Sequence, residues 1–311
     1  MIGLTLKHLR YLDALARHRH FGRAAETCGI SQPALSMQIK ELESMFGAPL
    51  VERGARSVRL TPTGEELLRR GREILLAVDE IDDLVRASQG AAGGRMRLGV
   101  IPTVAPYLLP QVVTTLAQRY PTLEVQPREA VTATLIAGLQ EGRLDAAIVA
   151  LPISEPSLRE FALFREEFVL VRQAADAGQP VPSPDKLKEM RLLLLEEGHC
   201  FRDQALSFCA IDALGPRDLM EGSSLTTLVQ MVGAGIGVTL IPEMAVPFET
   251  RAARVSVARF PPPGPSRTVG MVWRKTNPLS NEFMQIGAIV RGIGQTVRGP
   301  RTSSMRVEVI D

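Results

Sequence analysis

From Thr63 to Gln89 the chain carries one long helical pattern whose apolar stripe a solitary helix has no means of hiding. Leu67, Ile74, Val78, Ile81 and Val85 recur at steps of seven, four, three and four, the spacing of a coiled-coil seam. At 1.5 Å per residue such a helix reaches about 37 Å. The seam predicts pairing with a second copy of the chain through residues 63–89, giving at least a homodimer. It also divides the chain, because whatever precedes a rod of this length folds apart from whatever follows it. The stretch "QGAAGG" beyond it reads as a flexible link, with a hinge at residues 90–94.

Ahead of the rod lies a small helical head, residues 1–62. "LRYLDALARH" places Leu9, Leu12 and Leu15 at helical spacing, and "FGRAAETCGI" reads as a short helix stopped by Gly29. Ser31 is placed to cap a third helix, with Pro33 in its first turn, where a missing N–H costs nothing. That helix runs on through "ALSMQIKELESMF". "PLVERGARSVRLTPTG" then reads as two short strands around a turn, carrying Arg53, Arg56 and Arg59. Residues 1–62 hold nine Lys and Arg against five Asp and Glu, an excess suited to a nucleic-acid surface.

Behind the rod, residues 95–298 alternate strand and helix patterns. "RMRLGVIPTV", "LEVQPREAV" and "LDAAIVAL" read as strands separated by helices over 106–120 and "TATLIAGLQEG", which predicts βαβ units and a parallel sheet. "EEFVLVRQA", "MRLLLLEEG" and "GVTLIP" supply further strands, and "TVGMVWRK" reads as a strand returning to the first sheet after the connector "FPPPGPS". Residues 299–311 read as a polar, disordered tail. With 45% apolar and 23% charged residues the chain can bury real cores. No apolar run approaches a membrane span and no secretory leader is visible, so the expected address is cytoplasmic. Three cysteines make no secreted disulfide framework. No zinc-ligand spacing accompanies them, and neither metal nor cofactor is expected.

Two of those cysteines, Cys200 and Cys209, fall in "EEGHCFRDQALSFC" at what reads as a helix start. If the stretch is helical, the two α-carbons lie about 13 Å apart along the axis, whereas a disulfide needs about 4.4–6.8 Å. A bond between them therefore demands that the helix unwind, pulling Cys209 off a face shared with Phe201, Ala205 and Phe208. His199, Arg202 and the helix N-terminus all favour a thiolate at Cys200. A thiolate attacks peroxide to give a sulfenic acid that a second thiol can capture. Two packed core thiols fit the same spacing equally well.

The head segment "FGRAAETCGISQPALSMQIKELESMFGAPLVERGARSVRLTPTG" resembles the winged helix-turn-helix of the LysR-type transcriptional regulators. The resemblance implies a long dimerisation helix joined to a regulatory domain of two α/β subdomains, like a periplasmic binding protein, with crossovers near residues 165 and 267. It also implies that the helix from Gln32 to Met45 enters the major groove of promoter DNA. Gln32, Pro33, Ser36 and Gln38 would then meet base edges, while Lys40, Arg53 and Arg56 hold phosphates. "LEEGHCFRDQALSFC", "VIPTVAPYLLP" and "SSLTTLVQMVGAGIGVTLIP" are similar to the hydrogen-peroxide-sensing members of that family. From that likeness come a reversible Cys200–Cys209 disulfide, with Cys200 peroxidatic and Cys209 resolving, and Thr103, Thr132, His199, Arg202 and Asp203 around the peroxide. Gln204 matches as well; Phe201 stands where an aliphatic residue is expected.

Also implied are a homotetramer, contact with RNA polymerase, reduction by a glutaredoxin or thioredoxin system, control of oxidative-stress defence genes, and no enzymatic activity. Two other readings compete. One is a regulator of the same family that binds a small organic effector between the subdomains; the other is a thiol peroxidase, which would need no DNA-binding head. For the head, Gln32→Ala is expected to weaken specific DNA binding by about 1–3 kcal/mol, measured by gel shift against a non-specific duplex.

Overall fold

A computed structural model describes residues 3–54, 58–88, 94–209 and 220–297. The chain divides into two compact units at Gln89/Gly90. The first comprises α1 (Leu6–His18), α2 (Phe21–Thr27), α3 (Gln32–Phe46), β1 (Val51–Arg53), β2 (Val58–Leu60) and α4 (Pro62–Ser88). Polar residues start each of the first three helices. The Thr5 hydroxyl accepts from the His8 N–H while His8 Nδ1 accepts from the Thr5 N–H; His20 caps α2, and Ser31 accepts from the Ala34 N–H at 3.3 Å. α3 ends at Gly47, whose φ of 62° lies in the left-handed region. One face of α3, Leu35, Ile39 and Leu42, packs with Leu12, Leu15 and Leu50 into a small core from which all six are fully withdrawn.

β1 and β2 pair antiparallel as a wing. Thr61 ties that wing to α4: its hydroxyl donates to the Pro49 carbonyl at 2.8 Å and accepts from the Gly64 N–H at 3.0 Å. Gly64 allows the helix to start against the strand, since a Cβ there would sit 2.1 Å from the Leu50 carbonyl oxygen. Further along, α4 rests on α1 through Leu68, through Gly71 against Leu9, and through the 2.8 Å bond from Arg72 Nε to buried Asp13. Of the seam, Ile74 and Ile81 stand 45% and 59% exposed, joined by Leu84 at 60%.

The second unit continues with β3 (Gly94–Val100), α5 (Ala105–Arg119), β4 (Leu123–Glu129), α6 (Thr132–Gln140), β5 (Ala146–Leu151) and β6 (Leu158–Gln173). Then come α7 (Pro184–Glu189), β7 (Leu192–Leu195), α8 (Cys200–Phe208), β8 (Met220–Gly222), α9 (Leu225–Gly233), β9 (Val238–Pro242) and α10 (Val246–Glu249). β10 (Val255–Arg259), β11 (Ser266–Arg274) and α11 (Ser280–Val297) complete it. The strands form one continuous sheet in two halves that share β6. One half runs β4-β3-β5-β11-β6; the other runs β10-β6-β9-β7-β8.

The three strands expected to form βαβ units, β3, β4 and β5, are parallel as expected, while the sheet as a whole is mixed. β3 is parallel to β4 and β5, and β7 to β8 and β9. β11 instead runs antiparallel to β5 and β6, and β6 antiparallel to β9 and β10. The cause is β6, one strand of 16 residues. Its residues 158–167 pair with β11 in the first half, and its residues 168–173 pair with β9 and β10 in the second. Trp273, wholly buried, anchors the first half between Phe161 and Phe283. Residues 90–93 of the expected hinge and the tail from 299 lie outside the described residues.

Gly64→Ala is expected to destabilise the head by about 1–3 kcal/mol through overpacking. Hydrogen exchange should show it as faster exchange within residues 6–60, with residues 94–297 unchanged.

Candidate functional site

Three loops that leave strand ends meet at one small cleft. The turn after β3 brings Ile101, Pro102 and Thr103; the turn after β4 brings Val131 and Thr132; the turn after β7 brings His199 and Cys200. Helices α5, α6 and α8 all begin here, so their unsatisfied N–H groups and dipoles face a common region. The cleft is tight: about 170 Å³ of space between atoms opens to solvent, with no room inside for a water-sized molecule until a side chain moves. Cys200 is half-buried in the first turn of α8, after Gly198 turns the chain at φ 95°. Thr132 contributes a hydroxyl that is buried and has no protein partner. Such a group keeps an unspent capacity to bond a small polar molecule.

Beneath the cleft lies a pair that sequence reasoning missed. Arg267 of β11 and Glu166 of β6 face each other across the ladder, their side chains fully withdrawn from solvent, with Arg267 Nε 2.9 Å from Glu166 Oε2. Arg267 also donates to the Thr103 hydroxyl at 2.7 Å and the Thr103 carbonyl at 3.1 Å, and Glu166 accepts from the Met244 N–H at 3.1 Å. The guanidinium lies 5.5 Å from the Phe201 ring centroid, next to Cys200. No local signal marked the pair: Glu166 sits between Arg165 and Glu167, and Arg267 between Ser266 and Thr268, where a single charge reads as a surface residue.

α8 is fastened at both ends by aromatic pairs. Phe201 meets Phe168 edge-on at 4.7 Å, and Phe208 meets Phe260 at 5.0 Å. The buried face carries Phe201, Ala205 and Leu206, while Phe208, expected on it, is only half-buried. Cys209 closes the helix, its N–H bonded to the Ala205 carbonyl at 3.1 Å, and it is fully buried. Burial pushes its thiol up to about 11, a shift the Lys188 charge only partly opposes. All three cysteines are free thiols. One half-buried and one core cysteine thus sit at opposite ends of one helix, their α-carbons about 13 Å apart by helical rise.

Of the residues expected around Cys200, Thr103, Thr132 and His199 line the cleft, whereas Arg202 and Asp203 do not. Arg202 follows Cys200 by two positions, about 200° round the helix, so it points elsewhere. It donates to the Leu195 carbonyl at 3.0 Å and pairs with Glu221. Asp203 is exposed in the first turn of α8. The cation nearest Thr103 is instead Arg267. Gln204 has a buried side-chain oxygen without a protein partner. A wider opening of about 390 Å³ adjoins the cleft, sharing Thr103 and His199 with it; Glu129 and Glu249 line it, and the Tyr107 hydroxyl donates to Glu249 at 2.6 Å.

On the head, Gln32, Pro33 and Lys40 are exposed along α3. Ser36 and Gln38 are half-buried, and Gln38 Nε2 donates to Glu41 at 2.9 Å. Arg53 ends β1. Arg56 lies outside the described residues. Among the described residues no cluster of His, Cys, Asp or Glu is arranged to hold a metal ion, and no helix is long and apolar enough to cross a membrane.

Comparison with known proteins adds the following. The family described as "Bacterial regulatory helix-turn-helix protein, lysR family" matches residues 6–65, and "LysR substrate binding domain" matches residues 89–291. A "Probable hydrogen peroxide-inducible genes activator" from Streptomyces viridosporus is 42% identical over 92% of this chain and 93% of its own length. Full-length OxyR from Pseudomonas aeruginosa, in a cysteine-to-aspartate form, superposes with a TM-score of 0.76 at 35% identity, covering 97% of this chain and 99% of that one. A hydrogen-peroxide-bound cysteine-to-serine mutant of OxyR from Corynebacterium glutamicum gives 0.65 at 35% identity, covering 94% of each.

The unequal exposure of the two sulfurs is open to direct measurement. At pH 8, iodoacetamide should label Cys200 well ahead of Cys209, and peptide mapping should show Cys209 labelling rising only as the pH climbs towards 11 or the chain is denatured.

Proposed function

Because the chain belongs to the LysR family of transcriptional regulators, we propose that it senses hydrogen peroxide through a reversible Cys200–Cys209 disulfide and thereby changes transcription of oxidative-stress defence genes. The observation that carries this reading is the placement of the two thiols: Cys200 borders a cleft with two threonine hydroxyls, and Cys209 closes the same helix from inside the core.

In the first step the Cys200 thiolate attacks one peroxide oxygen. The S–O bond forms, the O–O bond breaks, and the departing hydroxide takes a proton to leave as water. Thr132 Oγ1 is free to bond the bound peroxide. Thr103 Oγ1, receiving a bond from Arg267, has its own proton to donate towards the developing negative charge. His199 stands at the same mouth as a proton donor. In the second step Cys209, as thiolate, displaces hydroxide from the Cys200 sulfenic acid, giving the disulfide and a second water. For that step α8 must come apart, releasing the Phe201 and Phe208 contacts and lifting Cys209 from the core. Closing a loop of about ten residues contributes roughly 2.5–3 kcal/mol of chain-entropy bias, the scale needed to hold a bistable element in its second state.

Two electrons from a dithiol of the glutaredoxin or thioredoxin type return the protein to its starting state. The reaction with peroxide is a signal consumed once per switch, not an enzymatic turnover. The winged head carries the output. α3 enters the major groove with Gln32, Pro33, Ser36 and Gln38 towards base edges, while Lys40, Arg53 and Arg56 hold phosphates. The exposed Ile74, Ile81 and Leu84 of α4 pair with their copies in a dimer, two of which make a tetramer on promoter DNA in the cytoplasm, within reach of RNA polymerase. An organic effector in the wider opening would leave the paired thiols without a task.

Equimolar hydrogen peroxide is expected to lower the free thiol count from three to one within minutes, with the Cys200–Cys209 disulfide identified by mass spectrometry of unreduced peptides. Cys200→Ser should abolish the response and keep DNA binding. An unchanged thiol count would reject the sensor reading.

A further inference from the structure

The most exposed large apolar side chain described on the head or on α4 is neither on the seam nor in a core: it is Met37, at 63%. It stands in the middle of α3, on the side opposite Leu35, Ile39 and Leu42, which are wholly buried. Its helical neighbours at four before and three after are Pro33 and Lys40, both exposed. Ser36 and Gln38, next to it in sequence, are half-buried, and Gln38 is engaged with Glu41. Met37 therefore projects further from the head than two of the polar residues assigned to base edges.

An apolar side chain standing out among Pro33, Lys40 and Glu41 lowers its free energy by finding an apolar partner there. In the major groove each base pair offers polar edge atoms, and thymine alone adds a methyl group at C5. A thioether on an unbranched, three-torsion side chain is long enough and adaptable enough to cover such a methyl. Lys40, exposed one turn along α3 from Met37, can meet a phosphate at the edge of the groove. We infer that Met37 is a specificity residue that reads a thymine methyl in each half-site. This rests on the reading that α3 enters the major groove.

The test uses the full chain and a duplex that the protein itself enriches from a randomised library. Each thymine of that duplex is replaced in turn by deoxyuridine, which removes the C5 methyl and keeps base pairing. The wild-type protein is expected to bind about three- to tenfold more weakly when one particular thymine per half-site is changed, a loss on the scale of one buried methyl. Met37→Ala should bind the thymine and uridine duplexes equally, and Met37→Leu, which keeps apolar reach, should retain most of the discrimination. An enriched site at which uridine is tolerated everywhere, or penalised equally in wild type and Met37→Ala, overturns the inference and leaves the DNA-binding reading intact. Failure to enrich any sequence overturns both.

Discussion

Two opposite charges sealed from water face each other where the halves of the regulatory unit meet. Glu166 and Arg267 sit on β6 and β11, at the point where the chain passes from one half to the other and returns. Each charge also bonds outward: Arg267 to Thr103 of the first half, and Glu166 to the Met244 amide of the second. Desolvation makes such a pair poor evidence of net stability, but removal of one member typically costs about 3–5 kcal/mol, because the other is left buried and unpaired. That exceeds the roughly 2.5–3 kcal/mol associated with closing the short disulfide loop. Under the proposed chemistry, the closing of that loop would therefore reshape α8 and its neighbours before it opened the junction below.

The region above the junction is built for the opposite behaviour. α8 is a nine-residue helix, too short to be stable by itself, so its persistence depends on what its faces touch. Phe168 and Phe260 supply those contacts through Phe201 and Phe208. The buried oxygen of Gln204, with no protein partner, works against them. Cys200 lies at one end of this balance and Cys209 at the other. A chemical change at the first is felt at the second only through the helix itself.

Much of this arrangement could be read without coordinates. The head follows from a 3.6-residue period and from Ser31 and Pro33 at a helix start, local signals that a three-helix domain has little room to override. The runs at 146–151, 192–195 and 238–242 are short and apolar but for Thr239, and each is a buried strand. β6 was legible only in its second part, since Arg159, Glu160, Arg165 and Glu166 interrupt the apolar pattern of the first. That interruption concealed the Glu166–Arg267 pair: two charges that neutralise each other in space look, one at a time, like surface residues. Thr103 and Thr132 entered through family resemblance, since nothing in their own segments marks them. Arg202 was placed beside Cys200 by nearness in sequence and by family resemblance; in the structure its guanidinium bonds the Leu195 carbonyl and pairs with Glu221. Met37 passed unnoticed because α3 was read only for its cap and its polar side chains.

The depth of Cys209 also sets a clock. Under the proposed chemistry, the sulfenic acid forms at a thiol already open to the cleft, but its capture waits for α8 to loosen, an event governed by local breathing of the fold and not by the concentration of oxidant. A pulse of oxidant briefer than that wait leaves Cys200 open to rescue by cellular thiols, with no change in shape. Only sustained exposure carries through, so a sulfur hidden in the core makes the molecule a filter against transient noise.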